Sequence, residues 1–295
     1  MKSQRRSLAN PLLPLFLGVL AVVAATTVGF AVGDALAAPR MLAATIAGHS
    51  GGGTMDYDWS WRLAPGQTLE IEGVNGAIRA TGAAGKDVVV HAAKHARRSD
   101  PDRVTIEVLE HTDGITLCVH YPDVWGSRPN TCAPHGHSHM NTHDNDVSVD
   151  FDVQVPPGVH LVARTVNGEV EAHGLDADAE AHTVNGSVTL ETRGRAEAST
   201  VNGSVRARLG STGVRESLDF STVNGSITLE LPDDANAEVT ARNVNGGIET
   251  DYPITIQRAG FTGGHRLHGT IGRGGPRLDL STVNGSIRLR KARGL

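Results

Sequence analysis

Four histidines fall within nine residues: His135, His137, His139 and His143, in the run His135-Gly136-His137-Ser138-His139-Met140-Asn141-Thr142-His143. Neutral imidazole is a ligand for Zn, Cu and Ni, and short His-rich tracts bind such metals on composition alone. The only two cysteines, Cys118 and Cys132, lie just upstream. Alternation through Ile115-Thr116-Leu117-Cys118-Val119-His120-Tyr121 puts Cys118 and His120 on one polar strand face, so a combined Cys/His site can be drawn. The spacing lacks the Cys-x2-Cys and His-x3-His pairs of structural zinc sites. In an exported chain an isolated cysteine pair is most simply a disulfide. It would close a short loop and add up to about 3 kcal/mol. The expectation is therefore a Cys118–Cys132 disulfide and no resident cofactor, with Zn, Cu or Ni at His135, His137, His139 and His143 as the one metal chemistry to test. The competing reading is a solvated loop held by the disulfide. The chain has no Gly-x-Ser-x-Gly elbow, no His-Glu-x-x-His and no phosphate loop, so catalysis has little support.

The elements that position this loop are repeats. Val-Asn-Gly occurs seven times, with its asparagines at Asn75, Asn167, Asn185, Asn202, Asn224, Asn245 and Asn284. From Asn167 onward they step by 18, 17, 22, 21 and 39 residues. The last step is close to two ordinary ones, which suggests a degenerate repeat between. Thr precedes Val in five copies, and a β-branched residue follows Val by four in all: Ile78, Val170, Val188, Val205, Ile227, Ile248 and Ile287. Self-similarity at this period marks a stacked architecture.

Asn-Gly is also the strongest short hairpin signal, but the side-chain parity argues otherwise. In a two-residue hairpin Val223 and Ile227 face opposite sides. In one nearly continuous strand Val223, Gly225, Ile227 and Leu229 share a face, and Asn224, Ser226 and Thr228 take the other. Leu278 and Leu280 alternate together, yet Val283 follows Leu280 by three, so a corner is expected near Ser281-Thr282. Strand, corner, strand is one coil of an all-β solenoid, or β-helix, with an N-terminal β region. A hairpin-rich β-sandwich is the alternative. Aligned asparagines would stack as an amide ladder. A single coil buries too few apolar side chains to offset the entropy of ordering its backbone, so coils must share a core.

The N-terminus carries Lys2, Arg5 and Arg6, an apolar run from Leu15 to Val32, and Ala35-Leu36-Ala37. That is the pattern of an export signal cleaved before Ala38. The alternative is an uncleaved anchor through residues 11–33, which is long enough to span a bilayer. Residues 1–37 are thus signal or anchor, 38–55 a Gly-rich linker, and 56–295 the β-repeat domain, with a His/Cys-rich loop at 122–146 and repeats over 161–290. Cleavage changes the net charge from −5 to −7, because the segment carries three basic residues and one acidic one. That disfavours nucleic acid and anionic membrane as partners. Arg288, Arg290, Lys291 and Arg293 near the C-terminus are expected to cap the last coil.

Gly73-Val74-Asn75-Gly76-Ala77-Ile78, the Val155-Pro156-Pro157-Gly158 turn and the Thr-Val-Asn-Gly-Ser-Ile/Val repeats together resemble the bacterial exported β-strand-repeat family labelled "putative adhesin", a domain of unknown function. The resemblance covers about residues 58–290 and implies a β-solenoid-like fold outside the cytoplasm with no known enzyme activity. It supplies no binding residues, and the His-rich loop is not part of its pattern. The functional expectation is a non-enzymatic scaffold of the periplasm or cell surface, binding a cell-surface glycan or an envelope protein. The alternatives are a periplasmic metal-binding or sensing protein acting through residues 135–143, and a polysaccharide-active β-helix enzyme.

Overall fold

The computed structural model describes residues 49–51, 54–210, 217–254, 256–258 and 265–292. The expected signal or anchor, residues 1–37, lies outside them. The described residues form 22 strands, numbered along the chain, in two 11-stranded sheets. The first sheet runs, in spatial order, β1 (His49–Gly51), β2 (Thr54–Trp61), β5 (Val88–His95), β8 (Ser148–Val155), β4 (Ile78–Gly82), β10 (Val170–Leu175), β12 (Val188–Thr192), β14 (Val205–Leu209), β16 (Ile227–Leu231), β22 (Ile287–Lys291) and β18 (Ile248–Thr250). The second runs β19 (Ile256–Arg258), β20 (His265–Ile271), β17 (Ala237–Asn245), β21 (Arg277–Asn284), β15 (Leu218–Asn224), β13 (Ala196–Asn202), β11 (Ala179–His182), β9 (His160–Arg164), β3 (Thr68–Glu72), β7 (Gly114–His120) and β6 (Thr105–His111). Pairing begins at His49, inside the stretch read as a linker.

Each repeat contributes one strand to each sheet, and the strands of successive repeats pair in parallel and in register, as Val188↔Val205↔Ile227 shows. This is the stacked-coil solution. The two inner faces share one core, in which Phe220, Leu229, Leu190 and Ile287 are fully buried. Antiparallel strands close the ends, with β6 on β7 at one and β19–β20 on β17 at the other.

The corner falls within the motif, not before it. Thr222 points into the core while Val223 is half-exposed and Asn224 faces solvent; burial resumes at Ile227. The odd residue is thus absorbed by Val-Asn-Gly-Ser itself, and Val leaves the core in every copy but the first, where Val74 is buried. Threonine is buried because its hydroxyl has a partner there. Thr183 donates to Gly168 O at 2.9 Å, Thr200 to Gly186 O at 2.8 Å, Thr222 to Gly203 O at 2.8 Å and Thr282 to Gly225 O at 2.9 Å. Each threonine satisfies the corner carbonyl of the coil beneath it. In the sixth copy Asn243 does the same, its amide donating to Gly285 O at 3.2 Å.

The glycines are there for proximity. A Cβ on Gly203 would sit 1.9 Å from Gly186 O, and one on Gly225 1.8 Å from Gly203 O. Corners approach one another too closely for any side chain.

Among the described residues the 39-residue step holds no degenerate coil. The chain leaves the stack after β18, forms β19 and β20, and returns to insert its last repeat between two earlier ones: β21 lies between β15 and β17, and β22 between β16 and β18. Charge explains the order. Arg290 of β22 stands opposite Glu230 of β16, and on the other side Arg288 and Arg290 reach Glu249 at 3.4 and 2.8 Å, with Arg290 also 2.9 Å from Asp251. Direct contact of β16 with β18 would place acid beside acid. Arg288, Arg290 and Lys291 therefore belong to an interior strand and cap nothing; Arg293 lies outside the described residues.

Candidate functional site

The repeat asparagines form one continuous row. Asn167 donates its side-chain amide to Asn75 Oδ1, Asn185 to Asn167, Asn202 to Asn185, Asn224 to Asn202, Asn284 to Asn224 and Asn245 to Asn284, all at 2.8–2.9 Å. The row is exposed, and every amide is used in a neighbouring coil. It holds the coils in register, each side-chain amide joined to its neighbour.

The loop between β7 and β8 is different. Strand β7 has two buried faces: Ile115, Leu117 and Val119 enter the core, while Thr116 and Cys118 are covered from outside by the His/Cys loop. The expected polar, exposed face is thus a docking surface. Cys118 and Cys132 form the disulfide, with Cα atoms 5.7 Å apart. The buried Asn130 side chain donates to Tyr121 O and Asn141 O at 2.9 Å each, and Thr131 and His139 exchange two backbone hydrogen bonds at 2.8 Å. The loop is a small, fastened hairpin.

Beneath it, Glu70 of β3 gathers the local donors. Its carboxylate accepts from the backbone N–H of His135 at 2.8 Å, the N–H of Gly136 at 3.0 Å, the Thr116 hydroxyl at 3.0 Å and the Arg164 guanidinium. Glu72, two residues on, shares Arg164 at 3.8 Å. Arg164 also reaches Glu180 at 3.6 Å, so one guanidinium serves three carboxylates and leaves Glu72 under-compensated. Burial, with repulsion from Glu70, pushes its pKa up to about 6 despite a hydrogen bond from Ser138 and the attraction of Arg164. Next to Arg164, His182 is held neutral: desolvation and that positive charge bring its pKa down to about 4.

The structure does not bring the four loop histidines together. His137 is exposed, His139 meets Thr131 through backbone hydrogen bonds alone, and His143 pairs with Asp144 at 3.2 Å. His120, beside Cys118 in sequence, pairs with Glu107 at 3.6 Å across β6–β7. His135 turns toward the β6–β7 hairpin instead. There His111, Asp113 and His135 each offer a ligating atom, all within 4.8 Å of one another. Sequence reading missed His111 and Asp113 because they lie outside the loop and precede His135 by more than 20 positions. The one available signal was His111-Thr112-Asp113-Gly114, a tight turn carrying two metal-type ligands.

A family model matches residues 67–290, described as Toastrack DUF4097. The chain belongs to the Toastrack DUF4097 family. No match was found among curated proteins. Among solved structures, a putative cell adhesion protein from Clostridium sporogenes is similar at 11% identity and a TM-score of 0.39, over 80% of this chain and 99% of the other. A putative adhesin from Bacteroides fragilis is similar at 12% identity and a TM-score of 0.33, over 80% and 96%. The matched Toastrack region takes in both the repeats and the His/Cys loop.

The outer faces of this Toastrack domain carry rows of charge at one side chain per strand. On the second sheet Glu180, Glu197, Asp219 and Asp279 occupy matched positions in four adjacent strands. Arg195 bridges Glu180 and Glu197 at 2.7 Å each, and Arg277 reaches Asp279. Burial, with the charges of Glu197 and Asp279, pushes the Asp219 pKa up to about 6. On the first sheet the row is mixed, with Arg208 paired to Glu230 at 2.7 Å. Among the described residues no helix is long and apolar enough to cross a membrane.

Proposed function

We propose that this Toastrack protein is an exported, non-enzymatic scaffold of the cell envelope whose sheet faces bind a repeating surface ligand, a cell-surface glycan. The observation that carries the reading is the register-matched row Glu180–Glu197–Asp219–Asp279. Parallel strands repeat at about 4.8 Å, so the row offers the same polar group again and again along the stack. A periodic polymer is the ligand that uses such a surface, since each unit meets an equivalent partner. Export is supported by the Lys2–Ala37 signal pattern and by a disulfide, which persists in oxidising compartments. The absence of recognised catalytic motifs and the use of the Asn row for register support a binding role.

Cell fractionation followed by a glycan array tests the reading. The full chain is expected outside the cytoplasm, and the exported protein is expected to bind at least one envelope glycan. A variant with Glu197, Asp219 and Asp279 changed to Ser is expected to lose that binding while keeping the β-sheet circular-dichroism spectrum. Cytoplasmic retention, or equal glycan binding by the variant, defeats the proposal.

A further inference from the structure

The turn between β6 and β7 and the tip of the His/Cys loop come from separate parts of the chain, yet their side chains are prepared as one unit. We infer that His111, Asp113 and His135 form a binding site for a single divalent metal ion of the imidazole-preferring class, with zinc as the reference ion. The site is distinct from the sheet faces and independent of the proposed surface role.

The first support is the donor set and its spacing. Two imidazoles and a carboxylate suit Zn²⁺, Ni²⁺ or Cu²⁺. Ligand atoms about 2.1 Å from a tetrahedral ion stand roughly 3.4 Å from one another. His135 Nε2 and Asp113 Oδ2 are already 3.6 Å apart, and all three ligating atoms lie within 4.8 Å. The His111 and His135 rings meet edge to face, centroids 5.5 Å apart at 65°. Small side-chain rotations complete the triangle, and a fourth position stays open for water or a group from another molecule.

The second support is the state of His111. Its Nε2 lies 3.1 Å from Thr116 Oγ1, and the Thr116 hydroxyl donates to Glu70 at 3.0 Å. With its one proton committed, the threonine oxygen can only accept, so in a neutral imidazole, the form that ligates a metal, His111 Nε2 carries the hydrogen. Nδ1 is then a bare lone pair, and in the structure this atom is buried with no hydrogen-bond partner. A buried acceptor left unmatched is costly and calls for an explanation. Ligation by a cation supplies one. The arrangement is that of a metal-binding histidine whose other nitrogen is fixed by an outer hydrogen-bonded group.

The third support is that the same carboxylate positions the second histidine. Glu70 accepts the backbone N–H groups of His135 and Gly136, and His135 is held at φ 63°. Few non-glycine residues take that left-handed conformation, and here two backbone hydrogen bonds to Glu70 hold it. The Cys118–Cys132 disulfide ties the chain to β7 three positions earlier. Glu70 is therefore a positioning residue for both histidines. His137, His139 and His143 contribute nothing to the set, which separates this site from loose binding by a His-rich run.

Titration calorimetry of the full chain, purified without a histidine tag, tests the site using ZnCl2, with CoCl2 as a spectroscopic probe. One ion is expected to bind, and Co²⁺ should give visible d–d absorption in which nitrogen ligation is evident. His111→Ala and Asp113→Asn are expected to abolish the Co²⁺ signal. Thr116→Val, which keeps all three ligands but releases the His111 tautomer, is expected to weaken zinc binding by about 10- to 100-fold, the usual effect of losing an outer-shell partner. A His137→Ala/His143→Ala double variant should bind like the parent. Loss of binding in that double variant, or unchanged binding in Asp113→Asn and Thr116→Val, overturns the assignment. Near-ultraviolet circular dichroism and a free-thiol assay confirm that each variant retains its fold and disulfide.

Discussion

The asparagine row has a direction, and the direction is testable. Every amide donates toward the Asn75 end, and the sense is fixed there: Asn75 Nδ2 meets Val147 O at 3.4 Å, a carbonyl that can only accept. Asn75 Oδ1 must then face Asn167, and each following amide is oriented in turn. Aspartate can accept but not donate. At Asn75 it gives up the long contact to Val147 O and sets a carboxylate oxygen near that carbonyl at 3.4 Å and beside Tyr121, but it still accepts from Asn167, now as a charged acceptor that offsets the loss. At Asn245 it loses the 2.8 Å donation to Asn284 Oδ1 and sets a carboxylate oxygen against that oxygen. A lost hydrogen bond is worth about 1 kcal/mol, and the repulsion at an exposed site adds ~0.5 kcal/mol. Asn245→Asp is therefore expected to cost about 1.5 kcal/mol, and Asn75→Asp under ~0.5 kcal/mol. For a domain of this size that separates the melting temperatures by about 3–5 °C. Thermal melts and urea midpoints at pH 7 measure it. Equal losses at the two ends, or a larger loss at Asn75, would refute the polarity of the ladder.

Two further variants test the corner and the charged face. Gly203→Ala is expected to cost more than ~3 kcal/mol, because its Cβ would lie 1.9 Å from Gly186 O, with the backbone atoms Gly186 C and Ser187 N at 2.5 and 3.0 Å; a urea midpoint within error of the parent would show that corners can separate. Asp219 has its folded pKa raised from the ordinary 3.8 to about 6, so its contribution favours the fold below about pH 4 and is lost as pH rises through 6. The Asp219 carboxyl is partly desolvated among its strand neighbours, but the residue as a whole is exposed, and screening reduces the effect to about 1 kcal/mol. Asp219→Asn should match the parent at pH 4 and exceed it by that amount at pH 7.5; the same offset at both pH values would contradict the cause.

Much of the architecture was legible because the repeat is periodic and its parity is strict. Val170, Val188, Val205 and Ile227 mark the core, and the spacing of the asparagines marks the coils. The corner was misplaced by a few residues because threonine is both β-branched and polar. Only the partner carbonyl of Gly168, Gly186, Gly203 or Gly225, supplied by a neighbouring coil, decides that it points inward. The site was less legible for a similar reason. Leu69-Glu70-Ile71-Glu72 alternates like any strand with one wet face, and nothing local shows that residues 122–146 fold back to cover it. His111 and His135 are linked through Glu70 and Thr116, two residues that local patterning treats as solvated. The order of the last coils depended on charges matched across strands far apart in sequence.

That order separates this chain from a simple linear array. In a linear array, removing the final repeat uncovers one interface. Here residues 277–291 lie between coils on both sides, and Leu278, Leu280, Ile287 and Leu289 are each at most 1% exposed. Burying four such side chains is worth about 6–12 kcal/mol, comparable with the whole stability of an ordinary domain. A chain ending at residue 276 must either bring β16 against β18, setting Glu230 beside Glu249 and Asp251, or leave open the edges of β16 and β18 in one sheet and of β15 and β17 in the other. It is expected to lose cooperative unfolding. Deleting residues 204–225 is a matched control: Gly203 then joins Ser226 in frame, β13 meets β21 and β12 meets β16 with the same Thr-Val-Asn-Gly register, so a shorter, cooperative fold is expected. Urea melts of the two proteins decide the matter. A truncated chain as stable as the parent would mean that the last repeat is peripheral, and an unfolded internal deletion would mean that the coils are not interchangeable.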